Sequence, residues 1–229
     1  MTNIQQTIRG VIFDMDGVLC DSEPFILEAA IRMFELRYHT KVLPEDFVPF
    51  VGAGEDRYLG GVAAKYGIKL DLDSDKVFTY NMYLDLIRGR MTPLPGAREF
   101  IAECRQHGLK LAVASSADKM KLDGNLRELR LPPGTFDICV NGLDVEKKKP
   151  DPEIFLAAAA GLKLKASDCL VVEDAVNGIK AGKAAGARCL GITSSFDAAT
   201  LISAGASWTA QNLATISHAT RLALFHCTT

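Results

Sequence analysis

Gly10-Val11-Ile12-Phe13-Asp14-Met15-Asp16-Gly17-Val18 decides how the chain is read. Three bulky apolar residues, Val11 to Phe13, stop at an acid, and a run that short and apolar reads as a buried strand. Asp14 then stands at the strand's carboxyl end, where open α/β sheets place their chemistry. Asp16 follows two residues on, and Gly17 lets the backbone turn away. Two carboxylates this close repel unless a cation or a shared proton separates them. The stretch therefore points to Asp14 as nucleophile or metal ligand and to Asp16 as acid/base. The competing reading is a strand end with an Asx turn, in which the same residues only reverse the chain.

Working outward, the pattern repeats. Leu109 to Ala114 reads as a strand ending in Ser115-Ser116. Phe136 to Val140 reads as another, followed by Lys147-Lys148-Lys149-Pro150. Cys169 to Val172 ends in Glu173-Asp174, and Arg188 to Ile192 and Ser207 to Thr209 supply further strands. Helical spacing of apolar residues fills the intervals, as in Phe100, Ile101 and Cys104, in Leu122, Leu126 and Leu129, and in Ile154, Phe155, Ala158 and Ala159. Alternating strand and helix predicts an α/β fold, a doubly wound, Rossmann-like parallel sheet. One crossover is too long. Between Phe13 and Leu109 lies far more chain than a single helix needs, with Ile26, Ala29, Ala30, Met33 and Phe34 at helical spacing and glycines and prolines after them. Residues 22–92 are therefore expected to form an inserted α-helical cap domain over the carboxyl end of the sheet. Residues 1–21 and 93–229 then form the core domain.

Four polar clusters each follow a strand: Asp14/Asp16, Ser115/Ser116, Lys149 and Glu173/Asp174. In a parallel sheet those ends face one way, so the groups converge. Each alone has a plain structural reading: Ser115-Ser116 as a helix N-cap, the lysines as a solvated run, Glu173-Asp174 as a cap for the next helix. Together their chemistry is coherent. Three or four carboxylates make a hard oxygen site suited to Mg²⁺, and a hydroxyl and an ammonium can bind the remaining oxygens of a phosphate.

The bulk numbers exclude other classes. With 229 residues, 48 % of them hydrophobic, the chain can bury a real core. A formal net charge of −2 gives no electrostatic case for nucleic acid or an anionic membrane. No apolar run is long enough to span a bilayer, and Met1 to Gln6 lacks the regions of a signal peptide. A cytoplasmic location is expected, or an organelle stroma where a transit peptide has been removed. Six cysteines and four histidines are scattered, which fits a reducing compartment and disfavours a zinc or Ser-His-Asp site. Cys139, Cys169 and Cys189 lie in apolar runs and are expected in the core.

These motifs as a set resemble the haloacid dehalogenase-like superfamily of aspartyl-nucleophile hydrolases, most closely its beta-phosphoglucomutase and sugar-phosphate phosphatase group with a helical cap. Asp14-Met15-Asp16-Gly17-Val18 is similar to the first motif and Ser115 to the second. Lys149-Pro150 with Asp151 to Phe155 is similar to the third, and Glu173-Asp174 with Asn177-Gly178 to the fourth. Phe50 to Gly54 also resembles the hydrolase domain fused into a plant thylakoid photoprotection protein. The resemblance implies phosphoryl transfer from a small phosphorylated metabolite through an aspartyl phosphate on Asp14, with Asp16 as acid/base and Ser115 and Lys149 on the phosphate oxygens. It implies Mg²⁺ as cofactor, held by Asp14, the main-chain carbonyl of Asp16, Asp174 and Glu173. Gly52, Ser116 and Arg57 are the candidate substrate-binding residues, and a monomer is favoured.

The alternatives are a phosphohexomutase and a module that binds or regulates a partner. Against the mutase, Ile26, Val51 and Glu55 stand where such enzymes carry histidine, lysine and arginine. Glu55 would repel a second phosphate, with Arg57 the nearby cation able to compensate.

Overall fold

The computed structural model describes residues 7–52 and 54–225. Cys227 and His226 lie outside them. Gly10–Phe13 forms β1, buried at every position. It is flanked by β2 (Lys110–Ala114) and β4 (Cys169–Glu173), in register Phe13 to Val113 and Phe13 to Val172. The order is β3-β2-β1-β4-β5-β6, all parallel, with β3 at Ile138–Val140, β5 at Arg188–Ile192 and β6 at Trp208–Ala210.

Alternation along the central strands explains how both faces are covered. Val11, Phe13, Leu111, Val113, Leu170 and Val172 enter one core, and Ile12, Ala112, Ala114 and Val171 enter the other. On the first face Phe13 meets Phe100 and Phe136 edge to face, with ring centroids 6.0 Å apart in each pair. The crossover helices that supply the two faces are α4 (Ala97–Gln106), α5 (Lys119–Glu128), α6 (Glu153–Gly161), α7 (Val176–Ala184) and α8 (Ala198–Ala204). Numbered before them in chain order are α1 (Glu23–Tyr38), α2 (Glu55–Lys65) and α3 (Leu72–Ile87), and α9 (His218–Phe225) follows β6.

The long first crossover is helical, as its pattern predicts. Pro24 sits in the first turn of α1, and Ile26, Ala29, Ala30, Met33 and Phe34 are its buried face. The chain leaves and re-enters the sheet layer through segments that pair with each other. Cys20 bridges Pro93 antiparallel, and the Leu94 amide donates to the Leu19 carbonyl at 2.9 Å. Further bonds tie this helical segment to α5 and to Asp118 just before it. The Tyr83 hydroxyl donates to Asn125 at 2.5 Å, Lys76 pairs with Asp118 at 2.9 Å, and the Gly89 amide donates to Glu128 at 2.8 Å.

Cys169 and Cys189 are buried, as expected, but Cys139 is exposed. Its strand, β3, is the three-residue edge of the sheet, where side chains are covered less than on the central strands. Among the described residues no helix is long and apolar enough to cross a membrane.

Candidate functional site

At the carboxyl ends of β1, β2 and β4 the structure opens a cleft of about 590 Å³, bounded on the opposite side by residues of α1 and α2 and by Val48, Phe50, Val51, Gly52 and Gly54. Asp14, Ser115, Lys149, Glu173 and Asp174 all line it and all are buried. Lys149 is the hub. Its Nζ donates to Asp14 Oδ1 at 2.5 Å and to Glu173 Oε1 at 2.7 Å. Burial works against its charge, but the two carboxylates outweigh that and raise its pKa. Glu173 is fixed at its other oxygen by the Ala175 amide, 2.7 Å away. The Ser115 hydroxyl accepts from the Ala117 amide at 3.1 Å, so its own proton is left to donate into the cleft.

Asp14, Glu173 and Asp174 each offer an oxygen within 4.8 Å of the others. One ammonium does not balance three buried carboxylates. Burial, with the Glu173 charge adding to it and Lys149 opposing, pushes the Asp14 carboxyl up to about 7. Burial and the charges of Glu173 and Asp14 hold Asp174 well above the usual carboxylate range. Such a trio is short of positive charge, and its all-oxygen donors suit a hard divalent cation.

Close approach of backbone makes the trio possible. A Cβ on Gly17, whose φ is +76°, would fall 2.0 Å from Asp174 Oδ2. Asp174 is bonded by the hydroxyls of Ser195 and, at 3.3 Å, Ser194, which also donates to the Gly17 carbonyl at 2.6 Å.

Asp16 lines the same cleft but its carboxylate stands outside the trio. It accepts from the Ser22 hydroxyl, from Lys121 at 3.1 Å and from Asn125 at 3.5 Å. Lys121 is buried, 3.4 Å from Glu55 and 5.7 Å from the Tyr83 ring centroid. Burial opposes its charge, yet Asp16 and Glu55 keep it firmly protonated.

Of the residues expected near substrate, Gly52 and Ser116 line the cleft. Arg57 does not, and is exposed. It lies two positions after Glu55 on α2, roughly 200° round the helix, so when Glu55 faces the cleft Arg57 faces away. The cation beside Glu55 is instead Lys121 on α5, which the sequence reading did not single out. Ser194 and Ser195 were also missed, although they follow β5 as Ser115 follows β2.

The family model of haloacid dehalogenase-like hydrolases matches residues 8–186, from the start of β1 through the turn after α7. The chain belongs to the haloacid dehalogenase-like hydrolase family. Within that family, this hydrolase is 42 % identical over 213 residues to the Arabidopsis thaliana protein SUPPRESSOR OF QUENCHING 1, chloroplastic, a match covering 92 % of this chain but 20 % of that protein. It thus spans about a fifth of that relative's length. It is 34 % identical over 202 residues to a Thermotoga maritima protein named phosphorylated carbohydrates phosphatase, covering 87 % of this chain and 92 % of the relative. The solved structure of CbbY from Rhodobacter sphaeroides in complex with phosphate shares the fold, with a TM-score of 0.80 at 24 % identity over 91 % of this chain and 96 % of that one.

Proposed function

We propose that this hydrolase is a Mg²⁺-dependent phosphatase of small phosphomonoesters, sugar phosphates or similar metabolites, working through a phosphoryl group carried on Asp14. The observation that carries the reading is the Asp14–Lys149–Glu173 bonding, with Asp174, Ser115 and Asp16 around it at the ends of parallel strands. The likeness to a phosphatase named for phosphorylated carbohydrates supports the substrate class.

Asp14 supplies the attacking oxygen, because its carboxylate is fixed at the strand end by Lys149 and faces the cleft. Asp14, Asp174, Glu173 and the main-chain carbonyl of Asp16 would hold the cation, which when bound offsets the negative charge of carboxylate and phosphate together. Ser115 and Lys149 donate to the equatorial phosphoryl oxygens, where transition-state charge is spread. Asp16 gives its proton to the departing alcohol and afterwards takes one from the water that cleaves the acyl phosphate, so one carboxylate serves both half-reactions. Ser22, Lys121 and Asn125 fix its orientation.

Water, rather than a second sugar hydroxyl, is the acceptor. A mutase must hold a bisphosphate at both ends, and of the cations lining the cleft Lys149 serves the transferring phosphoryl group while Lys121 is shared between Asp16 and Glu55. The protein acts as a monomer on a metabolite, without nucleic acid or membrane. Its place is the cytoplasm or an organelle stroma, the latter in keeping with a chloroplastic relative.

The test is inorganic phosphate release from a panel of sugar phosphates, with Mg²⁺ and after chelation, with glucose 6-phosphate formation from beta-glucose 1-phosphate followed in the same tube. Mg²⁺-dependent release exceeding isomerisation supports the reading. Faster isomerisation makes the protein a mutase. No turnover of any substrate leaves a binding or regulatory module.

A further inference from the structure

The half of the cleft away from Asp14 contains a carboxylate that the phosphoryl chemistry does not use. Glu55, the first residue of α2, lines the cleft yet is only 7 % exposed. One of its oxygens lies 3.4 Å from Lys121, a long contact, and the other, Oε2, is buried with no hydrogen-bond partner. A buried acceptor without a donor is costly, the more so when charged. Lys121 holds Asp16 at 3.1 Å and approaches Glu55 at Oε1 only, so Oε2 is left without a donor. Glu23, on the same side, accepts from the Tyr58 hydroxyl at 2.7 Å, and the buried Tyr80 phenol beside Glu55 makes no hydrogen bond to its Oε2.

We propose that Glu55, held in place by Lys121, accepts a hydrogen bond from a hydroxyl or ammonium group on the leaving alcohol. The cleft would then select monophosphates whose alcohol bears such a donor and no second anionic group. This rests on the phosphatase reading above and narrows its substrate class. The surroundings agree. The other charged residues on that side, Asp21 and Glu23, are acids, while Ile26, Val51 and Phe196 give apolar contact to the carbon frame. A donor reaching Glu55 completes the bonding of a buried anion. A phosphate or carboxylate placed there meets an unneutralised one.

The experiment compares kcat/KM along ladders of equal chain length. Propyl phosphate, glycerol 3-phosphate, 3-aminopropyl phosphate and 3-phosphoglycerate form the short one. Hexyl phosphate, glucitol 6-phosphate, 6-aminohexyl phosphate and 6-phosphogluconate form the long one, and p-nitrophenyl phosphate serves as a reference for the chemistry itself. In at least one ladder the hydroxyl or ammonium compound should exceed the plain alkyl phosphate by roughly 10- to 150-fold, the effect of one hydrogen bond to a charged group. The carboxylate compound should fall below its hydroxyl counterpart. Which donor wins tells a polyol from an amino alcohol. In Glu55→Gln the ratio of donor-bearing to alkyl compound should shrink at least tenfold, a comparison internal to one preparation and so independent of its yield of folded protein. Alkyl or carboxylate compounds equal to the best donor in both ladders, or an unchanged ratio in Glu55→Gln, overturn the inference while p-nitrophenyl phosphate turnover leaves the phosphatase reading standing. Absence of p-nitrophenyl phosphate turnover with Mg²⁺ overturns both.

Discussion

Replacing Gly178 with alanine should destabilise the protein, although the same change in an open helix position stabilises. Gly178 lies in the first turn of α7, where alanine would ordinarily gain about 1 kcal/mol over glycine. Here a Cβ would stand 1.9 Å from Glu173 Cδ and Oε1 and 2.4 Å from Oε2. Glu173 is 1 % exposed, so the carboxylate has no free space to move into without leaving the Lys149 ammonium and the Ala175 amide, each 2.7 Å away. Hydrogen bonds to charged groups are worth roughly 1.5–3 kcal/mol each, so losing both costs about 3–6 kcal/mol. Set against the helix gain, the net loss is about 2–5 kcal/mol. Gly60, inside α2, is the control. Nothing lies within 4 Å of its Cβ position, and Gly60→Ala should stabilise by about 0.5–1 kcal/mol. Urea unfolding of the metal-free proteins at one pH measures both. A Gly178→Ala protein as stable as wild type, or midpoints moving the same way in both variants, would refute the close packing against Glu173 from which the site is built.

Asp16→Ala should lower kcat by about 10²–10⁴, the usual cost of losing a positioned acid/base, and a loss under tenfold would make Asp16 a turn residue only. Tyr83→Phe should cost about 1–3 kcal/mol in urea unfolding, since it strands the buried Asn125 oxygen between α3 and α5, and an unchanged midpoint would contradict that link. Asp46 should shape acid stability. The Lys65 ammonium, the Tyr66 hydroxyl and the Leu43 amide hold its carboxyl down at about 2. A depressed acid contributes stability that is present above its ordinary value near 3.8 and is lost as pH falls toward 2. Thermal melts of wild type should therefore drop more steeply between pH 4 and pH 2 than those of Asp46→Asn, and parallel curves would overturn the assignment.

The strand ends were legible because they obey a local rule. Apolar runs stopping at Asp14, Ser115 and Glu173 show in the sequence both where each strand lies and which residues lead its carboxyl end. The long first crossover was legible for a similar reason, its length exceeding what one helix needs and α1 bearing a clear apolar face. Lys121 and Asn125 were not legible. The periodicity of α5 marks Leu122, Leu126 and Leu129 as the inward face, whereas Lys121 and Asn125 are buried too and Leu126 is only half-buried. A buried lysine is explained by its partners, and Asp16 lies 105 residues away in the chain. Arg57 was misplaced because proximity in sequence to Glu55 says nothing about which side of α2 it occupies. Cys139 was misplaced because an apolar run does not reveal that β3 is an edge. Ser194 and Ser195 could have been found by applying the strand-end rule once more, to β5.

The central claim is that Asp14 carries the phosphoryl group, and chemical trapping tests it most directly. The protein is mixed with Mg²⁺ and its best phosphomonoester, quenched during turnover, reduced with borohydride and digested for mass spectrometry. Reduction of an acyl phosphate converts that aspartate to homoserine. The account requires homoserine at position 14, dependent on substrate and Mg²⁺ and absent in Asp14→Asn, which should also release no phosphate. Steady phosphate release with an unmodified Asp14, with homoserine at another position, or from the Asp14→Asn protein at a wild-type rate would contradict it.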